Sequence, residues 1–125
     1  MPLLKDFYTI LSFETTPDNT AKALLRLNKD HPVFAGHFPG QPVTPGVCMM
    51  QIIKELGEKW ANMPLQLQTA RNVKFMGVIN PFETSDIDIA LQFEQVDEGL
   101  SIKSTTSFAE TTALKFSGIF KKKTP

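Results

Sequence analysis

Residues 31–51 read HPVFAGHFPGQPVTPGVCMMQ, a turn of prolines and glycines that runs straight into an amphipathic helix. Four prolines and three glycines fall between residues 32 and 46. Proline fixes φ and glycine lets a backbone pass close to another group, so this punctuation sets the chain path around one titratable side chain, His37. Beyond the turn, Met49, Ile52, Ile53, Leu56 and Trp60 recur at the helical period, while Gln51, Lys54, Glu55 and Glu58 gather on another side. The pattern predicts a helix over residues 46–62, weakened at Gly57 and ended by Pro64.

On the N-terminal side, residues 6–14 and 21–28 read as strands joined through the turn-forming Thr16-Pro17-Asp18-Asn19. In the second of these, Ala21, Ala23, Leu25 and Leu27 alternate with Lys22, Leu24, Arg26 and Asn28, which puts one face inward. Four further strands are expected over residues 67–79, 85–96, 99–109 and 111–122, with turns at Asp97-Glu98-Gly99 and Glu110-Thr111. Two strands, one long helix and four strands predict an α+β fold, an antiparallel sheet wrapped around one long central helix. A length of 125 residues fits one domain, residues 1–125.

Composition narrows the function. Thirteen basic and thirteen acidic side chains cancel, so no field of the whole molecule draws it to nucleic acid. The single cysteine, Cys48, excludes an internal disulfide framework and favours a reducing compartment. With no run of 18 apolar residues and no cleavable leader in MPLLKDFYTIL, a cytoplasmic protein without membrane association is expected. The two histidines, His31 and His37, stand away from any cysteine or acidic ligand pattern, and no phosphate loop or dinucleotide fingerprint occurs. No metal and no cofactor are therefore expected.

His37 titrates near neutral pH and can take or give a proton. The backbone N–H groups of Gly46 and Val47 lie in the first turn of the helix, unpaired within it and at its positive end. Such a pair suits a carbonyl oxygen that gains negative charge, as in a thioester polarised towards its enolate. A base beside an oxyanion donor fits proton abstraction alpha to a carbonyl, or acyl transfer. His31, before Pro32, reads as a turn histidine, and Cys48, Met49 and Met50 read as core filler.

The run from His37 to Val47, HFPGxPVxPGV, with an acid or amide fourteen residues after the histidine, resembles the 3-hydroxyacyl-acyl-carrier-protein dehydratases of fatty acid biosynthesis. Arg71-Asn72-Val73-Lys74-Phe75, followed by Pro81, is similar to that family's strand after the helix. The resemblance implies the hotdog fold and a homodimer or higher assembly in which two subunits join their sheets. It places the active site at that junction, with the histidine from one subunit and the acid from the helix of the other. By this likeness His37 removes the alpha proton of a 3-hydroxyacyl group on acyl carrier protein, and the Gly46 amide holds the thioester carbonyl. Val47, Phe38 and Pro45, around these two, complete the substrate-contacting set.

This chain departs from the family at the acid. The family has Glu or Asp where Gln51 stands, and usually Gln where Glu55 stands. An amide can hydrogen-bond the 3-hydroxyl but cannot protonate it. One helical turn, about 5.4 Å of rise, separates the two positions, and helical side chains lean towards the N-terminus. Glu55 thus points back towards Gln51, and the catalytic set becomes His37, Glu55 and Gln51. Two other readings stay open: a non-catalytic acyl-thioester-binding subunit paired with an active paralogue, and a hotdog thioesterase. An unusual peptide geometry flanking Phe38 is also expected, since the turn must aim the His37 ring inward.

Overall fold

The computed structural model describes residues 6–36, 44–97 and 99–123. Six antiparallel strands form one sheet in the order β1-β2-β4-β5-β6-β3. The strands are β1 Tyr8–Thr15, β2 Thr20–Leu27, β3 Leu65–Phe75, β4 Asp86–Val96, β5 Gly99–Phe108 and β6 Thr111–Lys122. Between β2 and β3 lie a single turn, α1 Val33–Gly36, and the long helix α2 Gly46–Ala61. This is the sheet and central helix that the alternation and helical period predict. Only α1 is additional, too short to leave a periodic signal.

Register explains the core. Pairing β2 with β4 sets Ala21, Ala23 and Leu25 opposite Leu91, Ile89 and Ile87. Every one of these side chains is buried. Since side chains in a strand alternate between faces, this register sends a whole row of apolar groups to one side. Against that side α2 buries Cys48, Met49, Ile52, Ile53, Leu56 and Gly57. Trp60 is half-buried and stacks on Phe93 of β4, ring centroids 4.3 Å apart.

The helix begins at Pro45, in extended conformation, whose carbonyl accepts from the amides of Cys48 and Met49. It ends at Asn62, which takes the left-handed conformation with φ 55° and donates its amide to Glu58 O. Asparagine tolerates that conformation nearly as well as glycine. The Glu58 carboxylate then accepts the amide of Leu65 at 2.7 Å, which fixes the entry into β3. Strand β3 stops at Phe75, four residues before the end expected from sequence. There the amides of Met76 and Gly77 both turn to Ala113 O, and the chain leaves the ladder.

Gly57 has a structural purpose that its helix propensity hides. A Cβ at this position would sit 2.6 Å from Ile102 Cδ1 and 3.3 Å from Leu65 Cδ1. The helix approaches the sheet so closely there that any side chain must push the end of Ile102 aside. In an exposed helix, glycine replacement gains up to about 1 kcal/mol; here Gly57→Leu is expected to cost about 1–3 kcal/mol by overpacking, measured by urea unfolding. On the inner face of β5 the fully buried Thr106 hydroxyl meets no hydrogen-bond partner among the described residues. Thr106→Val, which removes that hydroxyl at nearly constant shape, is expected to raise stability by roughly 1 kcal/mol in the same experiment.

Candidate active site

The N-terminal end of α2 is built to leave its amides available. Pro45 as N-cap offers no side-chain acceptor, and the first turn carries no acidic residue. Among the described residues, no acceptor meets the amides of Gly46 and Val47. Two unpaired donors at the positive end of a sixteen-residue helix can stabilise a developing oxyanion. The helix start is itself anchored. Thr44, buried just before it, donates both its amide and its hydroxyl to Ile79 O, at 2.9 and 3.0 Å. This clasp ties the helix to the strap that follows β3, and nothing in the periodicity pointed to it.

Gly46 lies close beneath the Phe75 ring. A Cβ there would lie 2.6 Å from Phe75 Cζ, so the aromatic ring at the end of β3 covers the first turn of the helix. Phe75 is 56 % exposed and Val47 68 % exposed. Together they form an apolar lip beside the amides. His37 and Phe38, the expected base and its neighbour, lie outside the described residues, as does the peptide geometry expected at Phe38. His31 is a turn residue: its Nδ1 accepts the Val33 amide at 3.1 Å, its carbonyl accepts the Phe34 amide, and its ring meets Phe7 edge-on.

One turn into the helix, the exchanged pair is organised. Gln51 Nε2 donates to Glu55 Oε2 at 3.1 Å, and the Tyr8 hydroxyl, from the start of β1, donates to Glu55 Oε1 at 2.6 Å. A carboxylate accepts only, so the amide nitrogen must face Glu55 and the Gln51 carbonyl oxygen becomes the outward end. Glu55 is half-buried rather than a solvated member of a charged stripe. The Tyr8 hydroxyl is held far above the ordinary tyrosine range, first by burial and then by the hydrogen bond and negative charge of Glu55. Tyr8 as the partner of Glu55, 47 residues away in sequence, was invisible to local pattern.

Val47 and Gln51 open onto one shallow cavity of about 190 Å³, whose other walls are Met50, Lys54, Leu67 and Phe120. It is mostly apolar, with Gln51 and Lys54 as its polar groups, and its size suits the reacting end of a substrate. A broader open concavity of about 900 Å³ crosses the outer face of the sheet past Lys22, Lys103 and Lys115. That concavity includes none of the candidate site residues, so the chemistry is assigned to the smaller cavity at the helix.

Comparison with known proteins agrees with this architecture. A model of the ApeI-like family, described as ApeI dehydratase, matches residues 14–114. The 3-hydroxyacyl-[acyl-carrier-protein] dehydratase FabZ of Rickettsia conorii is 28% identical over 118 residues, covering 86% of this chain and 81% of the relative. A solved chain of the dehydratase heterocomplex ApeI:P from Xenorhabdus doucetiae has a TM-score of 0.78 at 17% identity, covering 91% of this chain and 97% of that one. An uncharacterised protein from Erwinia carotovora subsp. atroseptica has a TM-score of 0.66 at 22% identity, over 91% of this chain and 94% of its own. The six antiparallel strands around one long helix are the hotdog fold of these dehydratases. No helix among the described residues is long and apolar enough to cross a membrane.

Tyr8 is the only tyrosine, so its titration can be read directly. In the folded protein it keeps its proton at pH values where the unfolded chain releases it. Its contribution to stability is therefore complete below about pH 10 and is lost as pH rises above that. Near-ultraviolet absorbance should show tyrosinate forming at higher pH in the native protein than in urea. Glu55→Gln should move the native curve part of the way back, because burial persists. The stability difference between wild type and Tyr8→Phe should shrink above about pH 10.

Proposed function

The chain belongs to the ApeI-like dehydratase family, and from that membership we propose that it removes water from a 3-hydroxyacyl thioester carried on acyl carrier protein, giving the 2-enoyl thioester. The reaction needs no cofactor. His37 takes the alpha proton, and the amides of Gly46 and Val47 hold the thioester oxygen as charge develops on it. Phe38 and Pro45 border the acyl group, and Gln51 presents its carbonyl oxygen to the 3-hydroxyl. Glu55 acts through Gln51 as a positioning residue.

The observation that carries this reading is the hydrogen-bonded chain Tyr8–Glu55–Gln51. A half-buried carboxylate gripped on both oxygens costs conformational entropy and desolvation. A merely solvated stripe on the helix would have no need of it. The likeness to the Rickettsia 3-hydroxyacyl-[acyl-carrier-protein] dehydratase supports the same reaction and partner.

Assembly completes the site. Strand β3 is an edge of the sheet, eleven residues long and almost wholly exposed. Its outer row of N–H and C=O groups is a template for another strand. Pairing of two copies along β3 would bring the helix face of one subunit beside the neighbouring loop of the other, as the family likeness implies. A second reading rests on Gln51 and on the heterocomplex in which the structurally similar ApeI chain occurs. In it, this chain is the binding half of a pair with an active paralogue. A thioesterase is less well supported, because no carboxylate lines the cavity free to activate water.

Hydration of a crotonyl or longer enoyl thioester by the purified chain decides between these readings. For an enzyme, turnover is well above background and His37→Ala abolishes it. Glu55→Gln should then lower kcat by about 100-fold through misplacement of Gln51, with KM nearly unchanged and Glu55→Asp partly active. Gln51→Glu alone should change little, because its carboxylate sits beside Glu55 and the like charges raise one pKa. For a binder, the wild type is near background and Gln51→Glu creates activity. Sedimentation at micromolar concentration should give a dimer; a stable monomer would argue against the shared site.

A further inference from the structure

We propose that Lys54 is the catalytic proton donor to the departing 3-hydroxyl, supplying what position 51 has lost; the inference rests on the dehydratase reading above. Expelling hydroxide unprotonated is costly, and a positioned acid typically contributes about 10²–10⁴-fold to such a step. The polar groups around the cavity can be tested one at a time for a proton to give.

Gln51 has only an amide. Both Glu55 oxygens already accept hydrogen bonds, from Tyr8 and from Gln51, and Glu55 does not line the cavity. The Tyr8 proton is committed to Glu55 at 2.6 Å. Glu58 accepts from the Leu65 amide at 2.7 Å and does not line the cavity. Lys54 does line it, together with Val47 and Gln51. Residues 47, 50, 51 and 54 form one stripe at helical spacing, so Lys54 shares the surface that starts at the oxyanion donors. Its long, flexible side chain lies along the same cavity wall as Gln51, with the ammonium on the Glu58 side.

The ammonium is also available. Its ion-pair partner, Glu58 Oε2, stands 3.8 Å away, beyond hydrogen-bond distance. The side chain is only 21% exposed, held along the cavity wall rather than extended into water. An ammonium carries three donors and no acceptor.

The step then balances. His37 removes the alpha proton, and the electron pair of that C–H bond becomes the new carbon–carbon double bond. The Cβ–O bond breaks, and the leaving oxygen takes a proton from Lys54 Nζ and departs as water. The Gln51 carbonyl oxygen accepts a hydrogen bond from the 3-hydroxyl, which keeps its own hydrogen and turns an oxygen lone pair towards Lys54. Protonated His37 and neutral Lys54 are reset by passing one proton between them through solvent.

The test uses the purified full chain and enoyl-thioester hydration, with circular dichroism to establish folding of each variant. Lys54→Met and Lys54→Arg should each lower kcat by about 100-fold or more while KM stays within about 3-fold, since Arg keeps the charge but does not give up a proton. Adding Gln51→Glu to Lys54→Met should return kcat to within about 10-fold of wild type, because a carboxylic acid then stands where the proton is needed. Retained turnover in Lys54→Met overturns the proposal, and so does retained turnover in Lys54→Arg, which would reduce the role to charge. Failure of Gln51→Glu to restore Lys54→Met also overturns it, by showing a packing loss. A wild type without turnover defeats the dehydratase reading itself, and Lys54 with it.

Discussion

Everything in this molecule depends on the burial of one helix in the curl of one sheet. The apolar arc from Cys48 to Gly57 is removed from water only because β2, β4, β5 and β6 present a continuous inner face to it. Register supplies that face: a slip of one residue would set Ala23 opposite Asp88 or Ala90 instead of Ile89 and turn the apolar row of one of the two strands to solvent. At Gly57 the approach is so close that a single methyl group has no room beside Ile102. The buried arc and this close approach together set how the helix is rotated, and so where its other face and its first turn lie.

The site uses what that docking leaves over. Its first amides meet no acceptor among the described residues, since Pro45 has no side-chain acceptor to cap them, and Thr44 clasps Ile79 to hold the first turn. Its polar stripe, which the core excludes, becomes a surface that can be organised. Tyr8 reaches that surface from the first strand and grips Glu55 there. The sheet that buries the helix thus also delivers the group that orders its polar side.

In the proposed dehydratase reading, the acid and amide at positions 51 and 55 divide their roles over a single helical turn. A carboxylate with both oxygens occupied orients the groups that donate to it. The amide moved outward can accept a hydrogen bond from a hydroxyl but cannot protonate it. The chemistry of this family needs both functions, so dividing them among Glu55, Gln51 and a further donor is a physically consistent response.

The sequence by itself determined the fold class, the strand and helix order and the helix start, because periods of 2 and 3.6 are local and proline and glycine act on their own backbone. The end of β3 was misjudged: Val78 and Ile79 carry strand-like side chains, but the Met76 and Gly77 amides are drawn to Ala113, a contact that no local pattern encodes. The role of Gly57 was hidden for the same reason, since its meaning comes from Ile102, far along the chain. Of the site, the amides of Gly46 and Val47 and the pairing of Gln51 with Glu55 were legible from spacing on one helix. What only the tertiary structure decided is the environment of that pair: Tyr8 on one side, and on the other a cavity shared with Lys54 and Leu67. Hydrogen bonds and cavity walls join residues that are close in space and distant in sequence, and only the packed chain brings them together.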